Sequence, residues 1–155
     1  MTRDEHALHL GGLLGNFHSL EFLLRVFLSK LPGAQPIGVP PGTDIYLSPI
    51  GTLLPVSDVT SYDSLGQLLQ KFNTQMQLQG RTELDVTLVD LRDALAHGRA
   101  SAAMVEDSLR LVKFDKPQAG SVRVAFNAIM SEQWFVEQKK RVYEALQRVY
   151  AEAKP

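Results

Sequence analysis

Seven large apolar residues near the start of the chain, Leu10, Leu13, Phe17, Leu20, Leu24, Phe27 and Leu31, recur at alternating spacings of three and four. Such a seam keeps one face of an α-helix buried along its whole length and packs it against further helices at a shallow angle. A fold built around it is helical. Thr2 followed by Glu5 supplies a capping box to open this helix, and Pro32 with Gly33 closes it, which predicts nearly thirty helical residues. Leu14, Leu23, Val26 and Leu28 widen the apolar surface beyond one stripe, so burial on two sides or a dimer face is expected. Gly11, Gly12 and Gly15 each cost about 1 kcal/mol relative to alanine in a helix interior, and close approach of another backbone is the expected return. Glu21 and Arg25, four apart, read as an exposed surface pair.

A chain of 155 residues, 45% of them hydrophobic, has the size of one domain with a sizeable core, and 1–155 is read as a single helical domain. With no cysteine, disulfides and thiolate metal sites are excluded, which fits a reducing cytoplasm. The first ten residues mix both charges without an apolar core, so no signal peptide is expected, and no run suits a membrane span. The net charge of -1 means that nucleic acid would be held by a local basic patch rather than by the field of the whole protein.

Between residues 32 and 62, prolines at 32, 36, 40, 41, 49 and 55 and glycines at 33, 38, 42 and 51 forbid a helix. A long Pro/Gly-rich loop is expected there, with short extended pieces at 44–47 or 52–56. A loop of that length is a lid, an interface arm or a misread element. Ser64 and Gln67 form a second capping box, and Leu65, Leu69, Phe72 and Met76 carry the next helix to about Leu78, with Gly80 closing it. Thr82 is expected to cap a third helix with the stripe Leu84, Leu88, Leu91 and Leu95, and with Glu83 and Asp85 in the first turn, where the helix dipole favours acid. Residues 100–108 read equally as short helix or loop. Residues 109–114 and 121–127 read as two strands of a β-hairpin around Pro117 and Gly120. Ser131 caps a closing helix that turns Phe135, Val142, Leu146 and Val149 inward, while Lys139, Lys140, Arg141 and Arg148 read as its solvated face. The expected fold is mainly α: an up-and-down bundle of about four helices with a small β-hairpin and the long loop.

Side chains of catalytic type meet a strong local structural signal at 91–99, LRDALAHGR. Gly98 follows the last periodic residue and is expected to stop the helix in the left-handed conformation. His97 then sits in the last turn, where the helix carbonyls favour imidazolium and raise its pKa. Asp93, four residues earlier, shares its face and can accept from one ring nitrogen, fixing the tautomer. Arg92 is five residues before His97, roughly 140° round an ideal helix. The two converge only if the last turn loosens or a second copy supplies the partner.

The stretch LRDALAHG resembles the signature of the HEPN superfamily: arginine, a polar residue, three more residues, then histidine at the end of a bundle helix. Those positions are Arg92, Asp93 and His97, and the order of long first helix, second helix, motif helix and final helix is similar across most of the chain. The resemblance implies a metal-independent endoribonuclease without a cofactor, acting as a homodimer in which the motif helices of two protomers meet across a cleft. It also implies a toxin or phage-defence role and adds an antitoxin or a nucleotidyltransferase-like protein as partner. His97 would be base or acid, Arg92 would hold the phosphate oxygens, and Asp93, where some branches have Asn, would orient His97 or bind a ribose hydroxyl. Arg99, next to His97, is the expected further RNA contact. Arg81 lies some 15 to 17 Å away along the helix axis and is left out. Lys113, Lys116 and Arg123 extend a groove or serve solubility.

Some HEPN-like proteins bind nucleotides, RNA or partner proteins without cutting, which makes a dimeric binding module the alternative. His6 and His9, three apart with Glu5 near and His18 further along, lack a third ligand at coordinating spacing and read as ordinary surface residues, so no metal site is expected.

Overall fold

Both capping boxes form, and each opens its helix where the sequence places it. The computed structural model describes residues 1–34, 44–102 and 109–154. Helix α1 spans Arg3–Ser29, with Thr2 N donating to Glu5 Oε2 at 2.7 Å and Glu5 N to Thr2 Oγ1 at 3.2 Å. Helix α2 spans Leu65–Leu78, and Ser64 N donates to Gln67 Oε1 at 2.8 Å. Its end is a Schellman motif: Gly80, at φ 64°, turns the chain so that Arg81 N reaches back to Met76 O at 2.8 Å.

Helix α3 is Leu88–His97 and helix α4 is Glu132–Ala153. Between them lie strands β1 Arg99–Ala102, β2 Leu109–Phe114 and β3 Val124–Ile129, one antiparallel sheet in the order β1-β2-β3. The protein is thus mainly helical, with four helices and a small three-stranded sheet. Three expectations change. Residues 100–102 are strand, while 103–108 lie outside the described residues. The third strand begins at Val124, because Gln118 and Ser121 bond to each other and Ala119 and Gly120, both at positive φ, make the tight turn. Thr82 caps nothing helical, since α3 begins at Leu88.

The chain packs as two compact units, with the division falling inside α1 and α4. One comprises Met1–Leu20 and Leu84–Arg148. Its core collects Leu13, Phe17 and Leu20 of α1, Leu88, Leu91 and Ala94 of α3, Leu111 of β2 and Phe135 and Val142 of α4. Burying each large side chain contributes about 1.5–3 kcal/mol. His6 is buried here as well: its Nδ1 donates to Thr2 O at 2.9 Å, and its Nε2 lies 3.4 Å from the Leu109 N–H and 3.1 Å from Met130 O. It ties the start of α1 to the sheet and is no surface residue. The close backbone approach expected of Gly11 and Gly15 is not made, since among the described residues nothing outside the helix's own backbone lies within 4 Å of where a Cβ would stand. At Gly12 such a Cβ would meet the Lys139 side chain, with Nζ 3.3 Å and Cε 3.5 Å away, and not a backbone.

The second unit comprises Glu21–Glu83 and Val149–Pro155. Leu24, Phe27 and Leu28 of α1 pack with Leu65, Leu68, Leu69, Phe72 and Met76 of α2, and the Phe27 and Phe72 rings stand 4.9 Å apart. Arg25 donates to Asp63 O at 2.8 Å, so it is more than half of a surface pair. Of the 32–62 stretch, 35–43 lie outside the described residues. Residues 44–62 hold one 3-10 turn, Ile45–Leu47, where an extended piece is expected, and no strand at 52–56.

Candidate functional site

Helix α3 owes its start to a carboxylate three residues before its first residue. Asp85 Oδ1 accepts from Thr87 N at 2.9 Å and from Thr87 Oγ1 at 2.6 Å, while Asp85 Oδ2 accepts from Arg141 Nη2 at 2.7 Å. Arg141 also donates to Gln138 Oε1 at 2.6 Å, so this side chain of α4 is a tie to α3 rather than part of a solvated face. Burial alone pushes the Asp85 carboxyl up, but the hydrogen bonds from Thr87 and Arg141 outweigh it and hold it below the usual aspartate value.

The other end of α3 is set by a glycine for a different reason than expected. Gly98 has φ -75° and ψ 173°, extended rather than left-handed. A Cβ there would stand 2.3 Å from Ala94 O and 2.8 Å from Leu111 Cδ1, and Gly98 N donates to Ala94 O at 2.7 Å. The helix stops because the chain must pass this close to β2 and turn at once into β1. His97 is thereby delivered, exposed, at the junction of helix and strand.

Arg92 and Asp93 are half-buried on α3, with Arg92 Nη1 3.6 Å from Asp93 Oδ1. Asp93 Oδ2 lies 3.6 Å from Nζ of Lys113 on β2. The expected bond from His97 to Asp93 is not made: among the described residues His97 has no hydrogen-bond or ion-pair partner, and Asp93 serves two cations instead. Arg99 opens β1 opposite Val112, and its guanidinium rests 5.5 Å from the centre of the Phe114 ring, a diagonal neighbour across the β1-β2 pair. The structure therefore groups Arg92 with Asp93, leaves His97 open at the helix end, and sets Arg99 on the strand immediately after it.

Lys113 is the residue that local sequence reasoning does not place against Asp93, because strand register decides which β2 side chain meets α3. Beside it, Asp90, Lys113, Asp115, Arg123 and Phe126 line a cleft of about 360 Å³. Arg123 is held by Asp115 at 2.7 Å. Arg81, already set aside, belongs to the second unit and forms an ion pair there with Glu152 of that same unit. Among the described residues no cluster of His, Asp or Glu suits a metal ion, and no helix is long and apolar enough to cross a membrane. Set against family models, curated proteins and solved structures, the chain matches none.

Proposed function

We propose that the protein is a metal-independent endoribonuclease of HEPN-like type, whose active site is completed by two copies of α3 in a homodimer. The single observation that carries this reading is the exposed His97 at the C-terminal end of α3, with Arg92 on the same helix and Arg99 on the strand that follows at once. The 2′-hydroxyl of a bound RNA attacks the adjacent phosphorus, the P–O2′ bond forms and the P–O5′ bond breaks. One His97 takes the 2′ proton and its twin gives a proton to the departing 5′ oxygen, leaving a cyclic phosphate and a 5′-hydroxyl. Arg92, through its planar fork of donors, and Arg99 balance the charge that builds on the phosphorane oxygens. DNA lacks the attacking hydroxyl and is not cut. The reading takes the four helices as an up-and-down bundle with the Pro/Gly-rich loop outside it. It places the protein in the cytoplasm as a toxin or phage-defence component restrained by an antitoxin or a nucleotidyltransferase-like partner.

A second reading has its own observation. Asp93 is engaged by Arg92 and Lys113 instead of orienting His97, as suits a dimeric module that binds RNA, nucleotide or protein and cuts nothing. The purified chain incubated with a mixed RNA pool decides between them. The enzyme gives fragments ending in cyclic phosphate, and His97→Ala lowers the rate about a thousandfold while leaving RNA retention unchanged. Intact RNA with the parent protein defeats the nuclease reading and leaves the module.

A further inference from the structure

The sheet turns one face to α3 and the other away from it. Leu111 is buried and Lys113 Nζ reaches Asp93 of α3, so these two side chains of β2 point to the helix. Alternation along the strand then sends Arg110, Val112 and Phe114 to the opposite, outer face. Register adds their neighbours: Arg99 stands opposite Val112, Ser101 opposite Arg110, and Asn127 opposite Val112 from the β3 side. Arg99, Ser101, Phe114 and Asn127 are exposed, and Arg110 and Val112 are half-buried. The three strands carry the cations Arg99, Arg110 and Lys113 and no Asp or Glu, in a chain whose net charge is -1.

Two details give the outer face more than charge. The Arg99 guanidinium lies 5.5 Å from the centre of the exposed Phe114 ring, so a cation and an aromatic surface share one spot. Arg110 Nη1 donates to Asn127 Oδ1 at 2.8 Å, which orients the guanidinium and uses one of its five donors. Arg110 and Phe114 are the two diagonal neighbours of Arg99, each about 7–8 Å from it along the pleated surface. Planar π surfaces among oriented cations match a single nucleic-acid strand, whose bases stack on rings and guanidinium planes while its phosphates meet the charges. A duplex keeps its base faces in its own stack and can use the cations alone. An acidic peptide would likewise leave the ring idle.

We propose that the outer face of the sheet is a bed for single-stranded RNA, in which Phe114 and Arg99 stack bases and Arg110 holds phosphate. The inference deepens the nuclease reading, on which it rests for the choice of RNA over DNA. It makes the substrate a single strand and carries the contact from Arg99 across β2.

Fluorescence anisotropy of the full chain tests it, with a labelled oligouridine of about twelve nucleotides whose 2′ oxygens are methylated and so cannot attack. The parent is expected to bind with a Kd of about 1–100 μM at about 0.1 M salt, and the same strand annealed to its complement at least about tenfold more weakly. Phe114→Ala should weaken strand binding about tenfold, while Phe114→Trp, which keeps a stacking surface, retains it. Arg110→Gln can still donate to Asn127, yet should lower the slope of log affinity against log salt by about 0.7, the share of one phosphate contact. A role in folding alone would leave that slope where it is. The proposal is overturned by a strand that does not bind, a duplex that binds as well, parental affinity in Phe114→Ala, equal losses with alanine and tryptophan, or an unmoved salt slope. Strand binding of the expected kind with unmodified RNA left intact sinks the nuclease reading alone. Unmodified RNA cut by a parent whose strand binding ignores Phe114 and Arg110 sinks the bed alone.

Discussion

The surface around α3 and the sheet and the surface of the arm at 44–62 deal with exposure in opposite ways. In the first, charges sit beside neighbours that suit them: Asp93 between Arg92 and Lys113, Arg123 on Asp115, Arg110 on Asn127, Arg99 over Phe114. Each such pair is worth only about 0.2–1 kcal/mol in water, so the group is compatible with solvent rather than a source of stability. In the second, large apolar side chains stand in water on a hydrogen-bonded frame with no charge among residues 45–57. Paired charges are at ease in water, whereas bare apolar side chains are not. The comparison separates a face of matched charges from a face of uncovered apolar side chains.

That contrast breaks first at Gly98, if the polar face is less dependent on close packing than the geometry implies. Gly98→Ala places a methyl group against Ala94 O and Leu111 Cδ1, and one of those is backbone that cannot rotate away. Overpacking of this kind costs about 3 kcal/mol, the largest effect expected here, with α3 and β1 forced apart. Urea unfolding followed by circular dichroism measures it. A loss below about 1 kcal/mol would show that the turn yields and that His97 is not rigidly placed.

Sequence reading reached as far as local chemistry reaches. The seam of α1 buries Leu13, Phe17, Leu20, Leu24 and Phe27 as its spacing requires, Ser64 caps α2, and β2 lies at the residues expected. What failed depended on partners distant in the chain. Strand β1, Arg-Ala-Ser-Ala, has no β-branched or aromatic residue and no alternation, and it is strand only because β2 pairs with it. Leu84 is buried and in phase with Leu88 and Leu91, yet lies outside the helix, so periodicity placed the start of α3 too early. At the candidate site, Arg92 and His97 lie on α3 and Arg99 opens β1, while the expected bond between His97 and Asp93 is not made. The approach of Lys113 to Asp93 follows from how β2 packs on α3, which no spacing encodes.

A smaller effect sharpens the polar side of the comparison. The Asp85 carboxyl is held below its ordinary value of 3.8, so the folded state binds that proton less readily than the unfolded chain does. The stability it contributes is complete above about pH 4 and is lost as pH falls through the lower folded value. Asp85→Asn is therefore expected to cost about 1 kcal/mol near neutral pH and to flatten the acid end of the stability profile. The carboxylate is half exposed, so added salt should shrink the difference. An unaltered acid profile in the variant would mean that Thr87 and Arg141 hold the start of α3 without it.

The smallest expected effect is the most telling for the arm. Ile50 has full exposure, so Ile50→Ser removes no packing, and its unfolding free energy should match the parent's within about 0.5 kcal/mol in urea unfolding at low protein concentration. A loss above about 1 kcal/mol would mean that Ile50 is covered within its own chain. The contrast between a face of matched charges and one of uncovered apolar side chains would then fall, because the arm would be part of a core rather than a surface.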